Sequence, residues 1–132
     1  MRISPALVER MLDHCRAGLP NEACGLLAGA GGDIVDVYCI ANADPSPATY
    51  TIEPEGHFRA LMDAEARGLE LVGAFHSHVD GPARPSATDI AGAAEPDWVW
   101  VVVGPMHQEA EVRAFRIDGD RAFEEDLVVG HG

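Results

Sequence analysis

The sequence contains no lysine, and its nine arginines are set against 22 acidic residues. The net charge of −13 repels nucleic acid and anionic membrane surfaces, so we expect neither as a partner. Long apolar runs are also missing, since none approaches the roughly 18 residues that a membrane span needs. Residues 1–15 include acidic side chains and lack the apolar stretch of a signal peptide, which makes the cytoplasm the expected location.

Cysteine is scarce as well. The three cysteines, Cys15, Cys24 and Cys39, are odd in number and show no C-x-x-C spacing. This argues against a disulfide framework and against a cysteine-rich zinc site. We expect all three to be small, buried apolar side chains in a reducing compartment.

The length and the apolar pattern predict a single α/β domain over residues 1–132, with a mixed β-sheet and about three helices. Ser4 as N-cap and Pro5 at the first helical position mark the first helix, which Gly18 ends. The third helix is short and is predicted for residues 86–94.

The second helix is predicted to run from Pro54 to Arg67 and to stop at Gly68, with three large apolar side chains pointing inward: Phe58, Leu61 and Met62. Seven runs are typical of strands. The run LELVGAF has a continuous apolar core, which indicates a strand buried on both faces. The others are EACGLLAG, DIVDVYCIAN, ATYTIEP, DWVWVVVG, EAEVRAFRI and AFEEDLVV.

The stretch HSHVDGPARPSATD, residues 76–89, follows this buried strand directly. Side chains two apart on a strand point to the same side, so His76 and His78 should face one way and Ser77 the other. Two imidazoles on one rigid edge can chelate a divalent metal.

A stiff reversal over residues 79–85, with one glycine and two prolines, can return the chain to the metal. Asp89, in the first turn of the third helix, is then a natural third ligand. Three protein ligands leave the fourth position of a tetrahedral zinc open for water, which is the catalytic pattern. Two neutral imidazoles and one carboxylate leave the centre net positive, so it can acidify that water.

The alternative interpretation of SATD is an ordinary capping box, with Ser86 at the N-cap and Asp89 at N3. A cap does not explain two histidines in phase, and Ser86 could open the helix and also place its hydroxyl beside the metal. The candidate proton acceptor is Glu22, which precedes an apolar run; its alternative is a solvated carboxylate at a strand start. Four further histidines are expected to be ordinary surface or core residues: His14, His57, His107 and His131.

Together these positions resemble the JAMM motif of the MPN-plus metalloproteases. The agreement covers Glu22, the H-S-H triplet at residues 76–78, a seven-residue spacing, Ser86 and Asp89. The resemblance implies a cytidine-deaminase-like MPN fold and a Zn²⁺ held by the two histidines and the aspartate. It also implies that the glutamate is the general base and that the serine steadies the oxyanion.

Two departures from the deubiquitinases of that family favour its compact bacterial branch, which includes CysO-cysteine hydrolases. Val79 stands where many members have proline, and the connections at residues 66–70 and 91–98 are too short for ubiquitin-holding insertions. The resemblance to this branch implies a zinc metallopeptidase that cuts after the C-terminal Gly-Gly of a ubiquitin-fold sulfur-carrier protein and releases cysteine or another amine.

The sequence can be compared with three alternatives to a zinc metallopeptidase. A catalytically silent MPN-type scaffold would usually lose the ligands, which this chain keeps. A cysteine hydrolase using Cys24 has no base placed for it in the sequence. A zinc nucleoside deaminase would show H-x-E and P-C-x-x-C, and neither is present. The oligomeric state stays open, a homodimer included.

Overall fold

The computed structural model describes residues 1–130, so His131 lies outside the described residues. Within this range the helices are α1 (Pro5–Gly18), α2 (Pro54–Ala66) and α3 (Ala87–Gly92). The strands are β1 (Arg2–Ile3), β2 (Cys24–Ala30), β3 (Asp33–Ile40), β4 (Glu70–Ser77), β5 (Val99–Gly104), β6 (Glu111–Asp118), β7 (Arg121–Glu125) and β8 (Val128–Val129). The N-cap at Ser4 is confirmed, because its side chain accepts a hydrogen bond from the N–H of Leu7.

The eight strands form one sheet in the order β7-β6-β5-β4-β2-β3-β1-β8. Strand β4 runs parallel to β5 and antiparallel to β2, so the predicted mixed α/β sheet is confirmed. Residues 73–77 of β4 are buried, as expected for a central strand with neighbours on both sides. No helix within residues 1–130 combines the length and the apolarity required to cross a membrane.

Side chains alternate between two cores on opposite faces of the sheet. Phe75 of β4 packs with Met11 and Cys15 of α1 on one face. Ala74 of β4 packs with Ala60 of α2 on the other face. Because the side-chain period of a strand is two, His76 follows Ala74 onto the α2 face and Ser77 follows Phe75 onto the α1 face.

The inward direction predicted for the large residues of α2 is wrong. Phe58 is 60% exposed and Met62 is 50% exposed, while Leu61 is 37% exposed. The helix packs instead through the small side chains of Ala60 and Ala64, at i, i+4 spacing. The approach is close, since a Cβ on Gly56 would lie only 2.6 Å from Cγ2 of Ile40. Small residues on the inner face therefore leave the large ones in solvent.

The strand predicted at ATYTIEP is also wrong, because residues 43–51 form a loop closed by an isolated bridge between Asn42 and Ile52. The side chain of Asn42 supplies the hydrogen bonds that a strand partner would otherwise make. Its Oδ1 accepts from the N–H of Thr51 at 2.9 Å, and its Nδ2 donates to the carbonyl of Thr49 at 3.2 Å.

Two further expectations need correction. The run AFEEDLVV is divided between β7 and β8, which lie at opposite ends of the strand order. Only Asp126 and Leu127 separate these strands, so the sheet must curl until its two edges come close. Cys15 and Cys24 are buried as expected, but Cys39 is exposed and belongs to neither core.

Candidate metal centre

The three predicted ligand side chains converge at the end of β4. Nε2 of His76 lies 3.1 Å from Nε2 of His78, and both nitrogens lie 3.0 Å from Oδ2 of Asp89. Ligands at 2.0–2.1 Å from a tetrahedral zinc lie about 3.3 Å from one another. Two imidazole nitrogens and one carboxylate oxygen in this near-equilateral arrangement fit a single zinc ion.

The sheet fixes both imidazoles. His76 pairs with Cys24 of β2 and with Val102 of β5, so its backbone is held from both sides. His78 continues the parallel pairing, with its N–H donating to the carbonyl of Val103 at 2.8 Å. Nδ1 of His78 lies 2.7 Å from the carbonyl of Pro82, which makes Nδ1 the protonated nitrogen and leaves the Nε2 lone pair for a metal.

A glycine is required where β5 passes this histidine. A Cβ on Gly104 would lie 2.7 Å from the carbonyl oxygen of His78 and 3.1 Å from its Cβ. Any larger residue would displace the backbone of His78, so Gly104 keeps the ligand in place.

Asp89 is held at the start of α3 by a full capping box. Oγ of Ser86 accepts from the N–H of Asp89 at 3.1 Å, and the N–H of Ser86 donates to Oδ2 of Asp89 at 2.8 Å. Burial alone would raise the pKa of Asp89, but the hydrogen bonds from His76 and His78 outweigh it and lower that pKa. The carboxylate is therefore ionised, the form that binds metal.

Glu22 lies just before β2 and is 5% exposed. Within residues 1–130 its Oε1 has no hydrogen-bond partner, although it is buried. Burial raises the pKa of Glu22 to about 7, against the opposing field of His78. A group with this pKa can take up and release a proton near neutral pH, which is what a general base requires.

Ser77 points away from the two histidines, as the alternation predicts. Its Oγ accepts a hydrogen bond from the N–H of Ala23 at 2.9 Å, and its own N–H donates to the carbonyl of Ala23 at 3.0 Å. Ser77 thus joins β4, which carries His76, to Ala23, the residue that follows Glu22. These hydrogen bonds set the distance between the histidines and Glu22.

Two residues of the site, Tyr50 and Asn42, were not predicted. The ring of Tyr50 stacks on that of His76, with centroids 4.4 Å apart and planes at 21°. Nδ2 of Asn42 donates to the carbonyl of Glu22 at 3.0 Å, so the 41–53 loop also anchors the candidate base. Asn42 lies in the run DIVDVYCIAN and Tyr50 in the run ATYTIEP, both interpreted as strands, and only the scarcity of tyrosine could have drawn attention to position 50.

Two cavities flank the ligands. The first, about 430 Å³, lies beside Asp89 and is lined by Tyr50, Trp98 and Trp100, with His57 also in its wall. The second, about 360 Å³, lies beside Glu22, His78 and Ser86, and the 79–85 turn forms its other wall. The centre is therefore reached from two sides, which suits a substrate that passes through it.

A cysteine nucleophile is not supported. Burial raises the pKa of the Cys24 thiol to about 12, with the charge of Glu22 acting in the same direction. Its Sγ contacts the carbonyls of Ile40 and Ala41, at 3.7 and 3.8 Å. Nε2 of His14 lies against the carbonyls of Cys24 and Ile40, so this imidazole is occupied by backbone and is no base for the thiol.

A mixed sheet with this centre at the end of its middle strand defines a zinc metallopeptidase. The family model for prokaryotic homologues of the JAB domain matches residues 4–118, and the chain belongs to that family. The resemblance to the JAMM metalloproteases is confirmed.

Two relatives illustrate the likeness in sequence. The CysO-cysteine peptidase of Mycobacterium tuberculosis is 35% identical over 129 residues, which cover 93% of this chain and 86% of the relative. A protein of Thermus thermophilus described as "Probable TtuB-protein conjugate cleaving protease" is 39% identical over 110 residues, covering 83% and 70%.

Solved structures agree on the fold. The solution structure of protein DSY2949 from Desulfitobacterium hafniense is 34% identical, with a TM-score of 0.89 over 99% of this chain and 93% of that one. The JAB1/MPN domain protein AF2198 from Archaeoglobus fulgidus is 20% identical, with a TM-score of 0.67 over 99% and 100%. The predicted MPN-type fold is confirmed.

Proposed function

We propose that this chain hydrolyses the bond after the C-terminal glycine of a ubiquitin-fold sulfur-carrier protein and releases cysteine or another amine. The observation that carries the reaction type is the carboxylate of Glu22, buried and without a partner in the described chain, in a cavity shared with His78 and Ser86. A buried carboxylate oxygen without a hydrogen bond is costly, unless a reactant occupies the position it faces.

His76, His78 and Asp89 would hold the zinc ion, and zinc when bound polarises a scissile carbonyl and acidifies water. Glu22 accepts the proton of the attacking water and passes it to the nitrogen that leaves. Oγ of Ser86 already accepts the N–H of Asp89, so its own hydrogen is free to be donated to the carbonyl oxygen as negative charge develops there.

The cavity of about 430 Å³ beside Asp89 forms a groove that is suited to a thin, extended carrier tail. Tyr50 and the indole rings of Trp98 and Trp100 wall it. We propose that a Gly-Gly terminus, which carries no side chains, lies along these rings.

The exposed side chains of Phe58, Leu61 and Met62 support a folded protein as the substrate. They follow one another at i, i+3 and i+4 on α2 and form an apolar face in solvent. His57, the residue before Phe58, lines the groove, so this face adjoins the path of the tail. We propose that the body of the carrier docks here.

The names of the two relatives are consistent with this substrate class, since one is a peptidase for a CysO-cysteine adduct and the other a protease for TtuB conjugates. The net charge of −13 makes nucleic acid an unsuitable partner. A cytoplasmic location and a homodimer stay predictions.

The direct test uses a ubiquitin-fold carrier that ends in Gly-Gly and bears one cysteine on its last glycine. Zinc-loaded protein should remove the cysteine, read as a loss of mass by mass spectrometry. A chelator should stop the reaction and added zinc should restore it. Intact carrier in the presence of zinc-loaded protein would favour a silent scaffold instead.

A further inference from the structure

The cavity beside Glu22 lies on the far side of the ligand centre from the groove beside Asp89. It shares no lining residue with the groove beside Asp89, and the ligand centre separates the two. A further cavity of about 260 Å³ also borders Glu22 but contains none of the three ligands. If the carrier tail occupies the groove, the second cavity, which borders both Glu22 and His78, is therefore the one suited to the group beyond the scissile bond. Glu22 lines that second cavity, which places the proposed proton donor next to the departing nitrogen.

Arg84 is the one arginine that lines this second cavity. Six of the nine arginines of the chain form ion pairs: Arg10, Arg16, Arg59, Arg67, Arg113 and Arg116. Arg84 has no ion pair and no side-chain hydrogen bond within residues 1–130. Glu124 lies within range of the charge of Arg84, but its carboxylate is already paired with Arg113. In a protein of net charge −13, an arginine left without an acidic partner is available to bind an anion.

The backbone around Arg84 is fixed. Its N–H donates to the carbonyl of Pro82 at 2.8 Å, and Pro85 follows it. The preceding Ala83 is 1% exposed and anchors the turn. The acidic side chain of Asp80 also borders the cavity, but it is 85% exposed and lies 3.4 Å from Nε2 of His107. Asp80 therefore reaches outward from the rim and does not neutralise the guanidinium.

We propose that this cavity receives a free α-amino acid as the leaving group and that Arg84 binds its α-carboxylate. This inference rests on the proposed function and specifies its leaving group. In an α-amino acid the carboxylate is one carbon from the amine. Because Arg84 and Glu22 line the same cavity, an amine that leaves beside Glu22 brings its carboxylate into the cavity that the guanidinium borders, where two parallel hydrogen bonds can form. The side-chain amine of a lysine within a protein has no carboxylate at that distance. Val79, Pro47 and Pro82 give the rest of the cavity an apolar lining suited to a small uncharged side chain.

Two carrier adducts isolate this contact. One bears cysteine with a free α-carboxylate, and the other bears cysteine amide, which has a similar shape but lacks the negative charge and replaces one acceptor oxygen with an NH2 group. Zinc-loaded wild type should cleave the acid with a kcat/KM about 10- to 100-fold higher than the amide, the range of a charged hydrogen-bond pair. Arg84→Gln should remove that preference, mainly by raising KM for the acid, while the rate on the amide stays unchanged. Arg84→Lys should retain part of it.

The matched control is Arg121→Gln, because Arg121 also has no ion pair within residues 1–130 and lies on β7, outside both cavities. It should leave both rates unchanged. Equal cleavage of acid and amide by wild type would overturn the role of Arg84 while leaving the proposed function intact. An equal loss on both adducts in Arg84→Gln would overturn it too, since a structural role would act on both. If neither adduct were cut, the proposed function and this inference would fall together.

Discussion

The backbone N–H of Ser86 donates to Oδ2 of Asp89 at 2.8 Å, and the same oxygen lies 3.0 Å from Nε2 of both His76 and His78. The helix cap and the ligand set are therefore one structure. The cap orients Asp89 so that its carboxylate oxygen meets the two imidazoles. A capping box and a metal site, which compete as interpretations of the sequence, both occur in the fold.

Ser86→Ala should separate these two roles. Loss of an N-cap hydroxyl costs about 1 kcal/mol of stability. Loss of a donor to the developing oxyanion should also lower kcat by about 10²- to 10³-fold. Ser4→Ala is the matched control, because Ser4 caps α1 through the N–H of Leu7 and lies far from the centre. The Ser4→Ala protein should lose a similar amount of stability and keep its full kcat. An unchanged kcat in Ser86→Ala would leave Ser86 as a cap alone.

The zinc content should depend on each ligand. Alanine at His76, His78 or Asp89 leaves two protein ligands, which should weaken zinc binding by at least about 100-fold. Elemental analysis after dialysis should give about one zinc per chain for wild type and almost none for these variants. His107→Ala removes a 57% exposed imidazole outside the centre and should retain the metal. Full zinc in His78→Ala would contradict the ligand assignment.

The pH dependence of stability in zinc-free protein should reveal the burial of Glu22. Burial raises the pKa of Glu22 from 4.5 to about 7, so the folded state favours the protonated form. The stability it contributes is present below pH 4.5 and is lost as the pH rises through 7. Wild type should therefore lose about 2 kcal/mol relative to Glu22→Gln between pH 5 and pH 8. Urea unfolding with chelator measures this, and a constant difference would indicate a solvated carboxylate.

Docking of the carrier should depend on the exposed face of α2. Phe58→Asp places a charge where an apolar contact is proposed, so KM should rise about tenfold with little change in kcat. Phe123→Asp is the control, since Phe123 is 50% exposed on β7 at an edge of the sheet. Steady-state kinetics on the carrier adduct compare the two. Equal KM values in both variants would mean that α2 does not meet the carrier.

Local signals account for what could be predicted from the sequence. Ser4 and Pro5 determine where α1 begins, and the apolar run of β4 indicates a central strand, because these effects arise within a few residues. The in-phase His76 and His78 follow from strand geometry alone. To predict the ligand set, it was enough to recognise one strand, one turn and the start of one helix.

The failures come from packing between distant segments. The direction of Phe58 depends on how closely α2 approaches the sheet, which Gly56 and Ile40 decide from separate elements. Tyr50 meets His76 only because Asn42 holds the intervening loop in place. That Arg84 finds no acidic partner among residues 1–130 depends on where the 79–85 turn lies relative to β6 and β7. None of these relationships is a short-range pattern in the sequence.

The measurement that tests the central claim most directly is the rate of Glu22→Gln at full zinc occupancy. The substitution keeps the shape of the side chain and removes its basic carboxylate, and Glu22 is not part of the ligand triplet. Zinc should stay near one per chain, while cleavage of the cysteine-bearing carrier should fall by about 10⁴-fold, because the same group also protonates the leaving amine. Near-normal turnover by zinc-loaded Glu22→Gln would contradict the account.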